Sequence, residues 1–182
     1  MRAVFSVTFV CMGNICRSPT AHGVFIRKLS DAGLARQVRV DSAGTHDLHR
    51  GEGPDRRSQR HARERGYDLS GLRARQLSAK DFERSDLLLA MDWDNLRATE
   101  GRCPPEHRHK LRRLTEFCLR QRSEIVPDPY YGGVAAFEQV LDLIEDACDG
   151  LLDHVRREVA LRSSIRGAKA PTPAPAPRGV DP

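Results

Sequence analysis

The chain has 182 residues, 39% of them hydrophobic and 30% charged, and 30 Lys+Arg against 25 Asp+Glu give a formal charge of +5. No apolar run approaches the ~18 residues of a membrane span. Aromatics make up only 5% and no nucleic-acid motif accompanies the Arg-rich patches, so neither a membrane nor a nucleic acid is an expected partner.

The apolar stretch Val4 to Met12 follows Arg2 but is too short for a signal peptide and has no small-residue cleavage site after it. The five cysteines, Cys11, Cys16, Cys103, Cys118 and Cys148, form neither a disulfide framework nor paired Cys-x-x-Cys zinc spacing, which predicts reduced thiols, a cytoplasmic protein and no metal.

Val4 to Val10 reads as a buried strand ending at a turn-like Gly13-Asn14. Ser18 suits a helix N-cap and Pro19 the first helical position; Ala21, Val24, Phe25 and Leu29 follow at helical spacing, and Gly33 closes the segment. Val38 to Ser42 is a second strand, and a Gly-rich loop leads to a helix over about Asp55 to Arg65, stopped by Gly66. Ser78 or Asp81 caps a short helix. Asp86 to Met91 is a third strand, apolar enough to be covered on both faces. A helix runs from Trp93 to Gly101, and Lys110 to Leu114 is a fourth strand despite its Arg pair. Val134 to Leu161 carries one apolar helical stripe, from Phe137 and Val140 through Ile144 and Leu151 to Val155.

The alternation of strand and helix predicts an α/β fold: one domain over residues 1–162, with a parallel sheet, helices on both faces and an active crevice beyond the carboxyl ends of the strands. Residues 163–182, with PTPAPAPRG, read as a Pro/Ala-rich disordered tail. Arg56, Arg57, Arg60, Arg63 and Arg65, and Arg108, Lys110, Arg112 and Arg113, read as solvated helix faces.

The loop between the first strand and helix is CMGNICRS, Cys11 to Ser18. A tight loop that ends at a helix N-terminus points backbone N–H groups into one concavity. Gly13 allows close backbone approach and Asn14 tolerates the left-handed conformation. Arg17 adds a planar fork matched to two phosphate oxygens. Met12, Gly13, Asn14, Ile15, Cys16, Arg17 and Ser18 would thus cradle a dianion above Cys11. Dipoles and guanidinium favour thiolate over thiol, which makes Cys11 the expected nucleophile. Ser18 can donate a hydrogen bond to the sulfur. A general acid is then required, and Asp128 in VPDPYYGG, stiffened by Pro127 and Pro129, is the candidate, beside Tyr130 and Tyr131 as flat walls. On its segment alone Asp128 reads equally as a turn residue before proline.

The sequence resembles the low-molecular-weight protein tyrosine phosphatases through VCMGNICRSPTA (Val10–Ala21), DSAGT (Asp41–Thr45), ARQL (Ala74–Leu77), MDWDNL (Met91–Leu96) and DPYYGG (Asp128–Gly133). The resemblance implies a four-stranded parallel sheet and no cofactor. It implies Cys11 as nucleophile, Arg17 as phosphate clamp, Asp128 as acid and then base, Asn14 and Ser42 as supports of the loop, and Asp92 as an acidic neighbour. The implied partner is a phosphotyrosine-containing protein, for which a bacterial tyrosine kinase is a candidate. It also implies a reversible Cys11–Cys16 disulfide that protects the nucleophile. Two positions depart from the pattern. Leu48 replaces an aromatic cleft wall, and Leu72 replaces a His that ties down the loop in bacterial relatives.

Three other readings meet obstacles in the sequence. Arsenate reductases share the loop but need two further cysteines after the third strand, and Leu77 to Glu100 contains none. Phosphoarginine phosphatases tend to carry Thr at the position of Ile15 and lack the double Tyr. A non-enzymatic anion binder needs neither a nucleophile nor a distant Asp, and no Gly-Lys-Ser/Thr of a nucleotide loop is present. No chemistry is assigned to any of the seven His residues.

Overall fold

The computed structural model describes residues 5–168. Four strands form one parallel sheet in the order β2-β1-β3-β4. They are β1 (Phe5–Cys11), β2 (Val38–Gly44), β3 (Leu87–Ala90) and β4 (Leu111–Arg113). The helices are α1 (Arg17–Asp31), α2 (Arg56–Glu64), α3 (Ala79–Arg84), α4 (Trp93–Glu100) and α5 (Val134–Ala168).

The central strand β1 is buried along its whole length, and its alternation sorts side chains to two cores. Phe5, Val7, Phe9 and Cys11 face Ala21, Val24, Phe25 and Leu29 of α1 and Val140, Ile144, Ala147 and Leu151 of α5. Val10 faces the other way, with Leu88, Phe82 of α3 and Cys103. The expected covering of both faces is therefore met by α1 and α5 on one side and α3 with its neighbours on the other. After β1 the chain crosses to β2 on one side and later to β3 on the other, so the loop that follows β1 sits where the strand order diverges, the usual binding crevice of such sheets.

Local signals explain most boundaries. Gly33 (φ +70°) and Gly66 (φ +85°) turn the chain left-handed just after α1 and α2. Asp55 accepts from the Arg57 N–H at 2.8 Å and caps α2. At α3 the N–H of Ser78 donates to Asp81 at 2.7 Å, so the two residues share the cap. α2 is clasped to α5 by Arg65, which reaches Glu138, Asp142 (2.7 Å) and Glu145 (2.8 Å), and by buried His61 against Glu138.

Four expectations are corrected. Ser18 does not cap α1: the helix begins at Arg17, with Cys16 at its cap position and no capping side chain, because the Ser18 hydroxyl is turned under the loop. β2 runs two residues beyond Ser42, to Gly44, because Gly44 pairs with Cys11. The Arg-rich patches are not solely solvated faces. Arg65 joins the clasp, the Arg112 guanidinium stacks on Phe117 (4.4 Å) and that of Arg113 on Trp93 (3.8 Å). Finally, α5 continues through residues 163–168, into the segment that the composition reads as tail. Val4 and residues 169–182 lie outside the described part.

Candidate active site

β1 delivers Cys11 to the carboxyl edge of the sheet, where its carbonyl accepts from the Thr45 N–H at 2.9 Å and that of Met12 from the His46 N–H at 3.0 Å. This draws the end of β2 tightly against the loop. A Cβ on Gly44 would lie 2.7 Å from the Met12 carbonyl oxygen and 2.9 Å from that of His46. Both are backbone atoms, so glycine is required there.

The loop itself turns at Asn14, a left-handed residue with φ +57°. Its buried amide fixes that turn three ways. Nδ2 donates to Ser18 Oγ at 2.9 Å and Ser42 Oγ at 3.0 Å, and Oδ1 accepts from the Arg75 N–H at 2.9 Å. Ser18 Oγ lies 3.0 Å from Cys11 Sγ. Because Asn14 already donates to that oxygen, the Ser18 proton must go to an acceptor, and the sulfur is nearer than the Ala43 carbonyl at 3.4 Å. Among the described residues, the backbone N–H groups of residues 12–16 donate to no protein acceptor. Five donors left free around a concavity are what an oxyanion site requires.

Arg17 is 2% exposed. Nη1 donates to Asp92 and to the Val126 carbonyl (3.2 Å), and Nη2 to Asp128 at 3.1 Å. Burial works against its charge, but the Cys11 sulfur, Asp92 and Asp128 more than offset this and hold the guanidinium firmly protonated. Asp92 has two tasks: Oδ1 caps α4 through the Asn95 N–H (2.7 Å), and Oδ2 aims Arg17.

Cys11, Met12, Gly13, Ile15, Cys16, Arg17, Leu48, Asp128, Tyr130 and Tyr131 line one cleft of about 240 Å³. Asn14, Ser18 and Ser42 lie buried behind it. Asp128 comes from the loop before α5, with its side chain 46% exposed. Its turn is anchored by a residue that sequence reading left on a solvated face: Arg57 donates to the Tyr130 carbonyl at 3.0 Å and pairs with Asp55 at 2.9 Å. The Asp55 N–H in turn donates to the Ile15 carbonyl at 2.8 Å, so α2 ties the Asp128 loop to the Cys11–Ser18 loop.

A sequence model of the family described as "Low molecular weight phosphotyrosine protein phosphatase" matches residues 6–161. The chain belongs to that family. A low molecular weight protein-tyrosine-phosphatase of Streptomyces coelicolor is 42% identical over 163 residues, 88% of this chain and 99% of its own length. Among solved structures, YfkJ from Bacillus subtilis superposes with a TM-score of 0.81 at 35% identity, covering 86% of this chain and 97% of its own. A protein tyrosine phosphatase from Entamoeba histolytica with Hepes in its active site gives 0.82 at 36%, covering 85% and 98%.

In this low-molecular-weight phosphatase Leu48 is 77% exposed at the cleft rim. His46 and His49 also line the cleft, unanticipated from sequence. Leu72 is half-buried, and the tether from its segment is instead the backbone of Arg75, which donates to Asn14 and accepts from the Gly44 N–H at 2.8 Å. A cysteine relay of the arsenate-reductase kind has no place here. Cys103 packs in the core on the opposite face, Cys118 lies beside the Leu143 carbonyl, and Cys148 is wholly buried in the main core. Cys16 lines the cleft, but burial pushes its thiol up to about 12, so it stays protonated at neutral pH.

Proposed function

We propose that this phosphatase hydrolyses phosphotyrosine in proteins through a phosphocysteine on Cys11. The observation that carries the reading is one cleft lined by the Cys11 sulfur, the Arg17 fork and Asp128, with the Ser18 hydroxyl 3.0 Å behind the sulfur and a loop whose backbone N–H groups donate to no protein acceptor among the described residues. The Cys11 thiolate attacks phosphorus while Asp128, in its acid form, gives its proton to the departing phenol oxygen. Loop amides and Arg17 hold the equatorial oxygens as charge develops on them. The phosphate oxygens compete with Asp128 for Arg17 Nη2, which frees the carboxyl for the leaving group. In the second step Asp128 takes a proton from water, the oxygen attacks phosphorus, and the thiolate leaves with the Ser18 hydroxyl donating to it.

Tyr130, Tyr131 and Leu48 border the aryl group, and Ile15 with the two tyrosines favours phosphotyrosine over phosphoarginine. A bacterial tyrosine kinase is the partner that fits best, given bacterial relatives such as those of Streptomyces and Bacillus. The five cysteines are free and no helix among the described residues is long and apolar enough to cross a membrane, which supports a cytoplasmic setting. After peroxide converts the Cys11 thiolate to sulfenic acid, the Cys16 sulfur closes a disulfide with loss of water.

The test is kinetic. Cys11→Ser abolishes hydrolysis of an aryl phosphate and keeps oxyanion binding. The wild-type protein turns over phosphotyrosine peptides faster than phosphoarginine peptides. Full activity in Cys11→Ser, or a preference for phosphoarginine, would overturn the reading.

A further inference from the structure

One buried polar side chain beneath the loop is left unused by this mechanism. His22 lies on α1 one turn after Ser18, so the two share a face of the helix, and Asn14, in the loop before the helix, meets Ser18 through its amide. It is buried, with Nδ1 3.2 Å from Ser42 Oγ.

The direction of each hydrogen bond here can be worked out from one end. The Arg75 N–H can only donate, so the Asn14 atom it meets is Oδ1. Nδ2 of Asn14 therefore faces, and donates to, Ser42 Oγ. The Ser42 oxygen is thus an acceptor, and its own proton needs one. Among the described residues the remaining group within reach is His22 Nδ1.

We infer that His22 is a positioning residue for the phosphate loop: its neutral ring, protonated on Nε2, accepts the Ser42 hydroxyl at Nδ1 and completes a one-way chain from Arg75 through Asn14 and Ser42. Protonation of Nδ1 would aim a second donor at Ser42 Oγ and strand the Ser42 proton. The chain then favours its breakage at the Asn14 end, where the loop turns. The charged groups that act on the ring are Asp41 on β2 and Arg75 in the segment after α2, which pair with each other at 2.8 Å. Burial, helped by the Arg75 charge, outweighs the opposing pull of Asp41 and keeps the imidazole neutral to lower pH than a free one.

Only the kinetic consequence rests on the phosphatase reading; the ring tautomer does not. Ring-¹⁵N-labelled full-length protein should show His22 with Nδ1 unprotonated and Nε2 protonated at neutral pH, with the signal assigned by its loss in His22→Asn. A protonated Nδ1 would overturn the inference even in an inactive protein. In kinetics, His22→Leu should lower kcat/KM for an aryl phosphate about tenfold, as expected for a buried hydroxyl left without its acceptor, and weaken inhibition by inorganic phosphate. His22→Asn, whose Oδ1 accepts but does not titrate, should recover most of that loss and flatten the fall of kcat/KM on the acid side. Parental kinetics in His22→Leu, or no rescue and an unchanged acid limb in His22→Asn, would contradict it. Should His22→Leu fail to fold, the Asn variant and the tautomer still decide.

Discussion

Replacing Asn14 separates two costs that the native residue carries together. With alanine, the left-handed backbone at φ +57° keeps its Cβ but loses the side-chain bonds that compensate for it, at about 1 kcal/mol. The Arg75 N–H loses its acceptor, and Ser18 and Ser42 each lose a donor. The stranded Arg75 donor adds about 1–3 kcal/mol, so Asn14→Ala should lose about 2–4 kcal/mol of folding stability. Asn14→Gly removes the Cβ strain and keeps the stranded groups, so it should be about 1 kcal/mol more stable than Asn14→Ala. Both should lose roughly 100-fold in kcat/KM, because a loop relaxed by about 2–3 kcal/mol no longer holds its amides in place. Urea unfolding at neutral pH gives the stabilities and aryl phosphate turnover the rest. If Asn14→Ala unfolds within about 0.5 kcal/mol of the parent, or if the glycine variant is the less stable, the account of the loop is wrong.

Three further outcomes are expected. Gly44→Ala places a Cβ against backbone that no rotamer change can clear; it should cost about 1–3 kcal/mol and lower kcat/KM, whereas Gly71→Ala, with nothing within 4 Å, serves as the neutral control. Arg57→Ala frees the Tyr130 carbonyl and with it the Asp128 loop, so kcat/KM should fall about tenfold for aryl phosphates with poor leaving groups and little for good ones, a fraction of the ~10²–10⁴ that a general acid contributes; an equal fall across the series would refute a role in aiming the acid. His22 has its folded-state pKa lowered by burial from 6.5, so the unfolded chain binds the extra proton first. Its stability contribution is full above about pH 6.5 and declines as pH falls below that value. His22→Asn should therefore lose less stability than the parent on acidification, a difference that cancels the matching effect of His154.

What the sequence disclosed follows from how local its causes are. β1, the loop and α1 were legible because alternation, turn residues and glycine stops act over a few positions. The candidate residues gather in and directly behind one cleft because the motif and the strand ends are both chain-order features. Ser18 was misassigned as a cap since a hydroxyl at a helix start serves that purpose unless another group claims it, and here Cys11 and Asn14 do. Arg57 looked like one charge in a solvated run, and its partner at Tyr130 is 73 residues away. β4 was obscured by Arg112 and Arg113, which make sense only once Phe117 and Trp93 are beneath them. His22 did carry a signal: it follows Ser18 by four residues, one helical turn, so the two polar side chains share the helix face that runs under the loop.

The central claim is that phosphoryl transfer passes through one sulfur. Acid quenching during steady-state turnover of an aryl phosphate, followed by peptide mass spectrometry, tests it directly, and Asp128→Asn should raise the trapped fraction where the second step is slowed. The account predicts one added phosphoryl group, on Cys11. Turnover with no modified peptide in either protein, or a phosphoryl group on Ser18 or any other residue, would contradict it.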